Sequence, residues 1–276
     1  MCLSTGCSDG SDGYDDPITL SPQGYVNSDG YRIYYEVIGS GPPLVLVHGW
    51  SSNIDLNWKQ TGWMDRLASL RTVVAIDVRG HGYSDKPRIQ SVYSYSVMAG
   101  DVLSVMDALK LESADFVGYS LGAFSGAWLL GHHAHRFSSA VLMGIGDEDA
   151  ASIQTATSIA AALRADSVDD IVDAEALIYR LYVDLDARND REALALATLQ
   201  MWPEGFPRAL GGSGLAAVAA PVLILNGDAD VPYVATDQLL ADAIPSAMLI
   251  EIPQANHFSV LFDQRFQNEV INFLAR

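Results

Sequence analysis

Six short, predominantly apolar runs, at residues 44–47, 72–76, 114–117, 139–143, 222–225 and 248–252, alternate with longer amphipathic stretches. A strand that is apolar at every position has no face left for water, so it belongs in a sheet covered on both sides. Parallel strands need long crossovers, and helices supply them. The pattern predicts an α/β fold: a mostly parallel central sheet flanked by helices over 58–70, 94–109, 121–130, 236–243 and 262–274. An antiparallel hairpin precedes it, with strands at 25–27 and 31–38 joined by Ser28-Asp29-Gly30. Between Asp147 and Gly212 the strand rhythm stops and Ala-rich helical stretches such as 153–164 and 174–185 take over. Residues 147–212 read as a helical cap inserted into a core made of 25–146 and 213–276. Residues 1–24 read as a flexible acidic tail.

Composition sets outer limits. At 276 residues, 49% of them hydrophobic, the chain can bury a large core. Its formal charge of −18 repels phosphate backbones and anionic lipid, which excludes nucleic acid as the expected partner and leaves a small molecule. No apolar run approaches the ~20 residues of a transmembrane helix. Both cysteines, Cys2 and Cys7, lie in the tail, so no disulfide or Cys-rich metal site staples the core. Leu3-Ser4-Thr5-Gly6-Cys7 resembles the end of a bacterial lipoprotein signal, but the basic and apolar regions that should precede it are missing. A cytoplasmic protein is expected. The alternative is an envelope lipoprotein anchored at Cys7, with its true start upstream.

Chemistry concentrates at the ends of the apolar runs. Gly118-Tyr119-Ser120-Leu121-Gly122 sits where a buried strand meets a helix and fits the G-x-S-x-G elbow, a sharp turn that exposes a nucleophilic serine. Such a serine needs a base, an acid to orient it and donors for the oxyanion. Asp228 and Asp230 follow the 222–225 run, His257 follows the 248–252 run, and His48-Gly49-Trp50 follows the 44–47 run. The chain order Ser, Asp, His differs from that of chymotrypsin-like and subtilisin-like proteases.

Five pieces in this order make the chain resemble an α/β-hydrolase of the capped, esterase-like branch, from about Tyr25 to the C-terminus. They are residues 44–50, Asp77-Val78-Arg79-Gly80-His81-Gly82-Tyr83-Ser84, the Ser120 elbow, 227–232, and Asn256-His257-Phe258. The resemblance implies hydrolysis through an acyl-enzyme, with no metal or organic cofactor. It implies Ser120 as nucleophile, His257 as general base, and the main-chain N–H groups of Trp50 and Leu121 as the oxyanion hole. It favours Asp230 as the acid, third after Gly227 in the family's G-x-x-D turn, over Asp228, and over Asp147, where some relatives place it. His48 and His81 are expected to be structural. His132, His133 and His135, at a helix end without a ligand pattern, are not expected to bind metal. Tyr119, Tyr179, Tyr182, Trp202, Phe206 and Phe258 are candidates for the acyl pocket. Serine at the elbow argues against dehalogenase and epoxide hydrolase chemistry, which uses Asp there. Carboxylesterase is the broadest expectation; lactonase, carbon–carbon bond hydrolase and perhydrolase share the triad, and a non-catalytic ligand receptor is the alternative of another class.

Overall fold

The computed structural model describes residues 21–147, 153–205, 207–231 and 233–276. The Cys7 segment, Phe206 and Pro232 lie outside the described residues. Eight strands form one sheet: β1 (Gln23–Ser28), β2 (Tyr31–Gly39), β3 (Pro43–Val47), β4 (Thr72–Ile76), β5 (Ala114–Tyr119), β6 (Phe137–Met143), β7 (Val222–Gly227) and β8 (Ala247–Ile252). Their order is β1-β2-β4-β3-β5-β6-β7-β8. β1 and β2 form an antiparallel hairpin, β2 joins β4 antiparallel, and every later pairing is parallel.

The apolar runs of β3 to β7 are buried on both faces, while that of the edge strand β8 is only partly buried. In β7, Val222 and Ile224 point into one core layer while Leu223 and Leu225 point into the other, the two-residue period of a strand covered twice. The helices are α1 (Trp63–Ala68), α2 (Tyr95–Ala108), α3 (Leu121–His133), α4 (Ile153–Arg164), α5 (Ala174–Val183), α6 (Arg191–Met201), α7 (Pro207–Gly211), α8 (Asp237–Ala243), α9 (Ser259–Phe262) and α10 (Gln264–Leu274). Ser94 caps α2 by accepting the Val97 N–H. α4 to α7 form a helical region inserted between β6 and β7.

Two expected helices are broken. Instead of one helix over 58–70, a π-helical turn at Asp55–Lys59 precedes α1, and Gly62 between them has φ +77°. A continuous helix would point Trp58 and Trp63, five residues apart, in different directions. The break lets both bury in one core layer, with ring centroids 6.0 Å apart. Instead of 262–274, α10 starts at Gln264 because Asp263 accepts the Arg265 N–H and caps it, and Phe262 ends the short α9.

Candidate active site

The chain leaves β3 for β4 on one side and later returns to lay β5 on β3's other side. In such sheets the crevice at the C-terminal ends of the two diverging strands is where ligands bind. Here those ends carry the loop from His48 and the turn at Ser120, with Val47 opposite Gly118 in register. Ser120 has φ +52° and ψ −116°, a conformation that residues with a side chain seldom adopt. It is held there: its N–H donates to the Met143 carbonyl at 2.8 Å, and its own carbonyl accepts the Phe124 N–H at 3.0 Å. Gly122 lets α3 start against β3, since a Cβ at that position would lie 2.1 Å from the Val47 carbonyl oxygen.

The loop after β3 is fixed from inside the core. Gly49 donates its N–H to Asn57 Oδ1 at 3.1 Å, and its carbonyl accepts His48 Nδ1–H at 2.7 Å and the Ser52 N–H at 3.3 Å. His48 Nε2 accepts the Val78 N–H at 3.0 Å, so the proton must sit on Nδ1. Burial keeps this imidazole neutral, pushing its pKa down to about 4. A trans peptide points its N–H away from its C=O, so anchoring the Gly49 carbonyl on His48 aims the Trp50 N–H the other way. Among the described residues that N–H has no hydrogen-bond acceptor. Leu121 opens α3, where a helix N–H has no carbonyl one turn back.

His257 sits in the loop after β8. Its Nδ1 lies 3.1 Å from each oxygen of Asp230, a completely buried carboxylate, while the imidazole keeps 24% of its side-chain surface open. The ring covers Gly144, where a Cβ would stand 2.9 Å from His257 Cε1. Gly144 follows Met143, the residue whose carbonyl holds Ser120, so β6 brings the serine turn and the imidazole side by side. Tyr119 donates its hydroxyl to the His257 carbonyl at 3.0 Å. The Asp230 turn and the His257 loop are stitched together where the Ala229 N–H meets the Ala255 carbonyl at 2.9 Å. The other two carboxylates are occupied elsewhere. Asp228 is exposed and accepts the Gln254 N–H at 2.7 Å. Asp147 accepts the Arg208 N–H at 2.7 Å and pairs with its guanidinium.

Residues 42–178 match the alpha/beta hydrolase fold family. 3-Oxoadipate enol-lactonase 1 of Acinetobacter baylyi is 30% identical over 213 residues, 71% of this chain and 77% of that protein. The chain belongs to the α/β-hydrolase family. Two further members show how widely its chemistry ranges. 2-Hydroxymuconate semialdehyde hydrolase of Pseudomonas sp. strain CF600 is 28% identical over 266 residues, 89% of this chain and 91% of that protein. The crystal structure of an esterase from Rhodococcus sp. ECU1013 superposes with a TM-score of 0.68 at 26% identity, covering 92% of this chain and 99% of that one.

Within this α/β-hydrolase frame, aromatic rings gather between the insertion and the core. Trp50 meets Tyr179 at 5.6 Å and Trp202 at 6.2 Å, and Tyr179 meets Trp202 at 5.4 Å. Tyr182 packs on Phe258 at 5.7 Å, and Phe258 contacts the His257 ring at 6.0 Å. Tyr233 lies 5.3 Å from the same imidazole. His81 is buried beside His48, donating its Nδ1–H to the Arg79 carbonyl at 3.0 Å, and burial pushes its pKa down to about 3. Of the three clustered histidines, His132 stacks on Trp128 at 4.2 Å. No group of three His, Cys, Asp or Glu side chains among the described residues is placed to hold a metal.

Several residues around the site carry no motif. Asn226 binds both the N–H and carbonyl of Ile145, and also Asp237, tying the exits of β6 and β7 together. Asn53, Asn57, Asp186, Arg188 and Asn189 brace the loop after β3. A weak signal existed for Asn226: it ends a buried apolar run, where a polar side chain needs partners.

Proposed function

We propose that this chain is a serine hydrolase that cleaves the ester of an uncharged carboxylic acid through an acyl-enzyme on Ser120. The observation that carries the reading is the His257 imidazole, held through Nδ1 by both oxygens of buried Asp230 and lying beside the Ser120 turn. With Nδ1–H given to Asp230, Nε2 is the free base. It takes the Ser120 proton as the oxygen attacks the acyl carbon, and Asp230 stabilises the imidazolium. The N–H groups of Trp50 and Leu121 receive the oxyanion; losing one such donor typically costs ~3 kcal/mol of barrier. His257 then protonates the departing alcohol and activates the water that releases the acid.

Residues 147–212 act in this reading as a cap, with Trp50, Tyr179, Tyr182, Trp202 and Phe258 lining the acyl side. The charge of the cap supports a neutral substrate. All five of its arginines already have carboxylate partners: Arg164 with Glu192, Arg180 and Arg191 with Asp184, Arg188 with Asp186, and Arg208 with Asp147. A substrate carboxylate would have to be desolvated among aromatic rings with no unpaired arginine among the described residues of the cap to meet it. A lactone is a cyclic ester and falls under the same reading.

Matched acyl chains test this. p-Nitrophenyl pentanoate and mono-p-nitrophenyl glutarate differ only in a terminal methyl or carboxylate. The neutral ester should have at least tenfold higher kcat/KM. Equal rates, or preference for the anion, would remove the neutral-substrate reading, and turnover of neither would remove the esterase.

A further inference from the structure

On the proposed hydrolase mechanism, we infer that Asn189, on the insertion, is a positioning residue that holds the Trp50 oxyanion amide in place. The link runs through Ser51. The Ser52 N–H closes on the Gly49 carbonyl, making Gly49-Trp50-Ser51-Ser52 a turn whose third residue has φ +60°. That position ordinarily goes to Gly or Asn, because a Cβ is strained there. Ser51 keeps the conformation under a clasp from the insertion. Asn189 Nδ2 donates to the Ser51 carbonyl at 3.1 Å and to its hydroxyl at 3.3 Å, and also to the Val183 carbonyl at 2.9 Å at the end of α5.

The same stretch of insertion grips the loop at two further points. Buried Asn53 donates to Asp186 at 2.8 Å and accepts from Arg188 at 3.1 Å, while Arg188 reaches Asp55. Arg188 in turn holds the Asp186 carboxyl down to about 2, so this contact stays ionised through the working pH range. The Trp50 peptide is therefore set from two sides. His48 and Asn57 fix the Gly49 side from the core, and Asn189 fixes the Ser51 side from the insertion. Without Asn189, Ser51 can relax to negative φ and rotate the turn that aims the Trp50 N–H. The loss falls on the transition state, where the oxyanion forms, and not on substrate binding.

The experiment uses the full chain and p-nitrophenyl acetate, the ester that depends least on acyl contacts. Asn189→Ala should lower kcat tenfold or more with KM changed less than threefold, and phenylboronic acid, which mimics the tetrahedral oxyanion, should lose affinity in parallel. Ser51→Gly added to Asn189→Ala should recover most of kcat, because glycine holds φ +60° without a clasp. Thermal melts run beside the kinetics separate this from a general weakening of the fold, which would lower the Tm of Asn189→Ala; here Tm should stay near wild type while kcat falls. Unchanged kcat in Asn189→Ala, or a loss that Ser51→Gly leaves in place, overturns the inference. If Asn189→Ala does not fold, Asn189→Asp, equal in size but without the donor, carries the same pair of outcomes. An inactive wild type would instead reject the hydrolase reading beneath it.

Discussion

At the scale of single residues, three carboxylates lie beyond strand ends, and their surroundings separate them. Asp230 is wholly buried, and His257 Nδ1 is within 3.1 Å of both its oxygens. Asp228 spends its carboxylate on a loop amide in open solvent, and Asp147 pins Arg208. The proposed mechanism therefore sets unequal costs for near-isosteric changes. Asp230→Asn keeps the shape but favours the wrong imidazole tautomer, and kcat should fall by up to ~10⁴. Asp228→Asn and Asp147→Asn should each cost less than tenfold. Steady-state kinetics of the three variants on one ester decides it: a collapse in either of the latter with Asp230→Asn near wild type would redraw the acid. The candidate site was legible at this scale wherever a residue has to sit next to a glycine or at the end of an apolar run. Ser120, Asp230 and His257 each follow an apolar run within five residues, the first two with a glycine two or three positions away. Asn189 does not, since nothing local to Arg188-Asn189-Asp190 announces that its amide meets Ser51, 138 residues away.

At the scale of elements, the strands were readable because a strand buried on both faces leaves a predominantly apolar run, and all six runs lie in strands. Helix ends were readable where a cap is written in sequence, as Ser94 is for α2. They were not where tertiary packing overrides local preference. Trp58 and Trp63 needed the same core layer, and Gly62 broke the helix to let both reach it. The helix α6 within the insertion was not singled out either; its Ala-rich run carries little amphipathic contrast, and Asp190 caps it by accepting the Ala193 N–H. What no pattern foretold is how the insertion is seated. Besides the clasp on Ser51, Arg88 pairs with Asp190, and Glu204 accepts the Tyr95 N–H at the start of α2. These contacts join positions about a hundred residues apart in sequence, and no local pattern around either partner announces them.

At the scale of the whole molecule, charge and burial together shape how stability responds to pH. His48 and His81 are buried and held neutral to about 4 and about 3, against ~6.5 when unfolded. As pH falls below ~6.5 the unfolded chain takes up protons that the folded chain refuses, so stability is lost, by roughly 3 kcal/mol for His48 alone by pH 4. Asp77 works in the opposite sense. Burial raises it to about 6, so the folded chain keeps a proton that the unfolded chain releases above ~3.9, and this returns about 3 kcal/mol on acidification. The two histidines outweigh it. Urea denaturation should show stability falling by a few kcal/mol from pH 6.5 to 4, and His81→Asn, which keeps a donor for the Arg79 carbonyl, should remove most of that fall, because the Asp77 contribution then nearly offsets that of His48. Parallel profiles for variant and wild type would refute this. The central proposal for the whole molecule is that Ser120 carries an acyl group during turnover. The most direct measurement is to acid-quench the enzyme during turnover of p-nitrophenyl pentanoate and locate the added mass by peptide mapping. One pentanoyl group is expected, on Ser120, absent from a folded Ser120→Ala variant that has lost turnover. Acylation of another residue, or turnover by folded Ser120→Ala at near the wild-type rate, would contradict it.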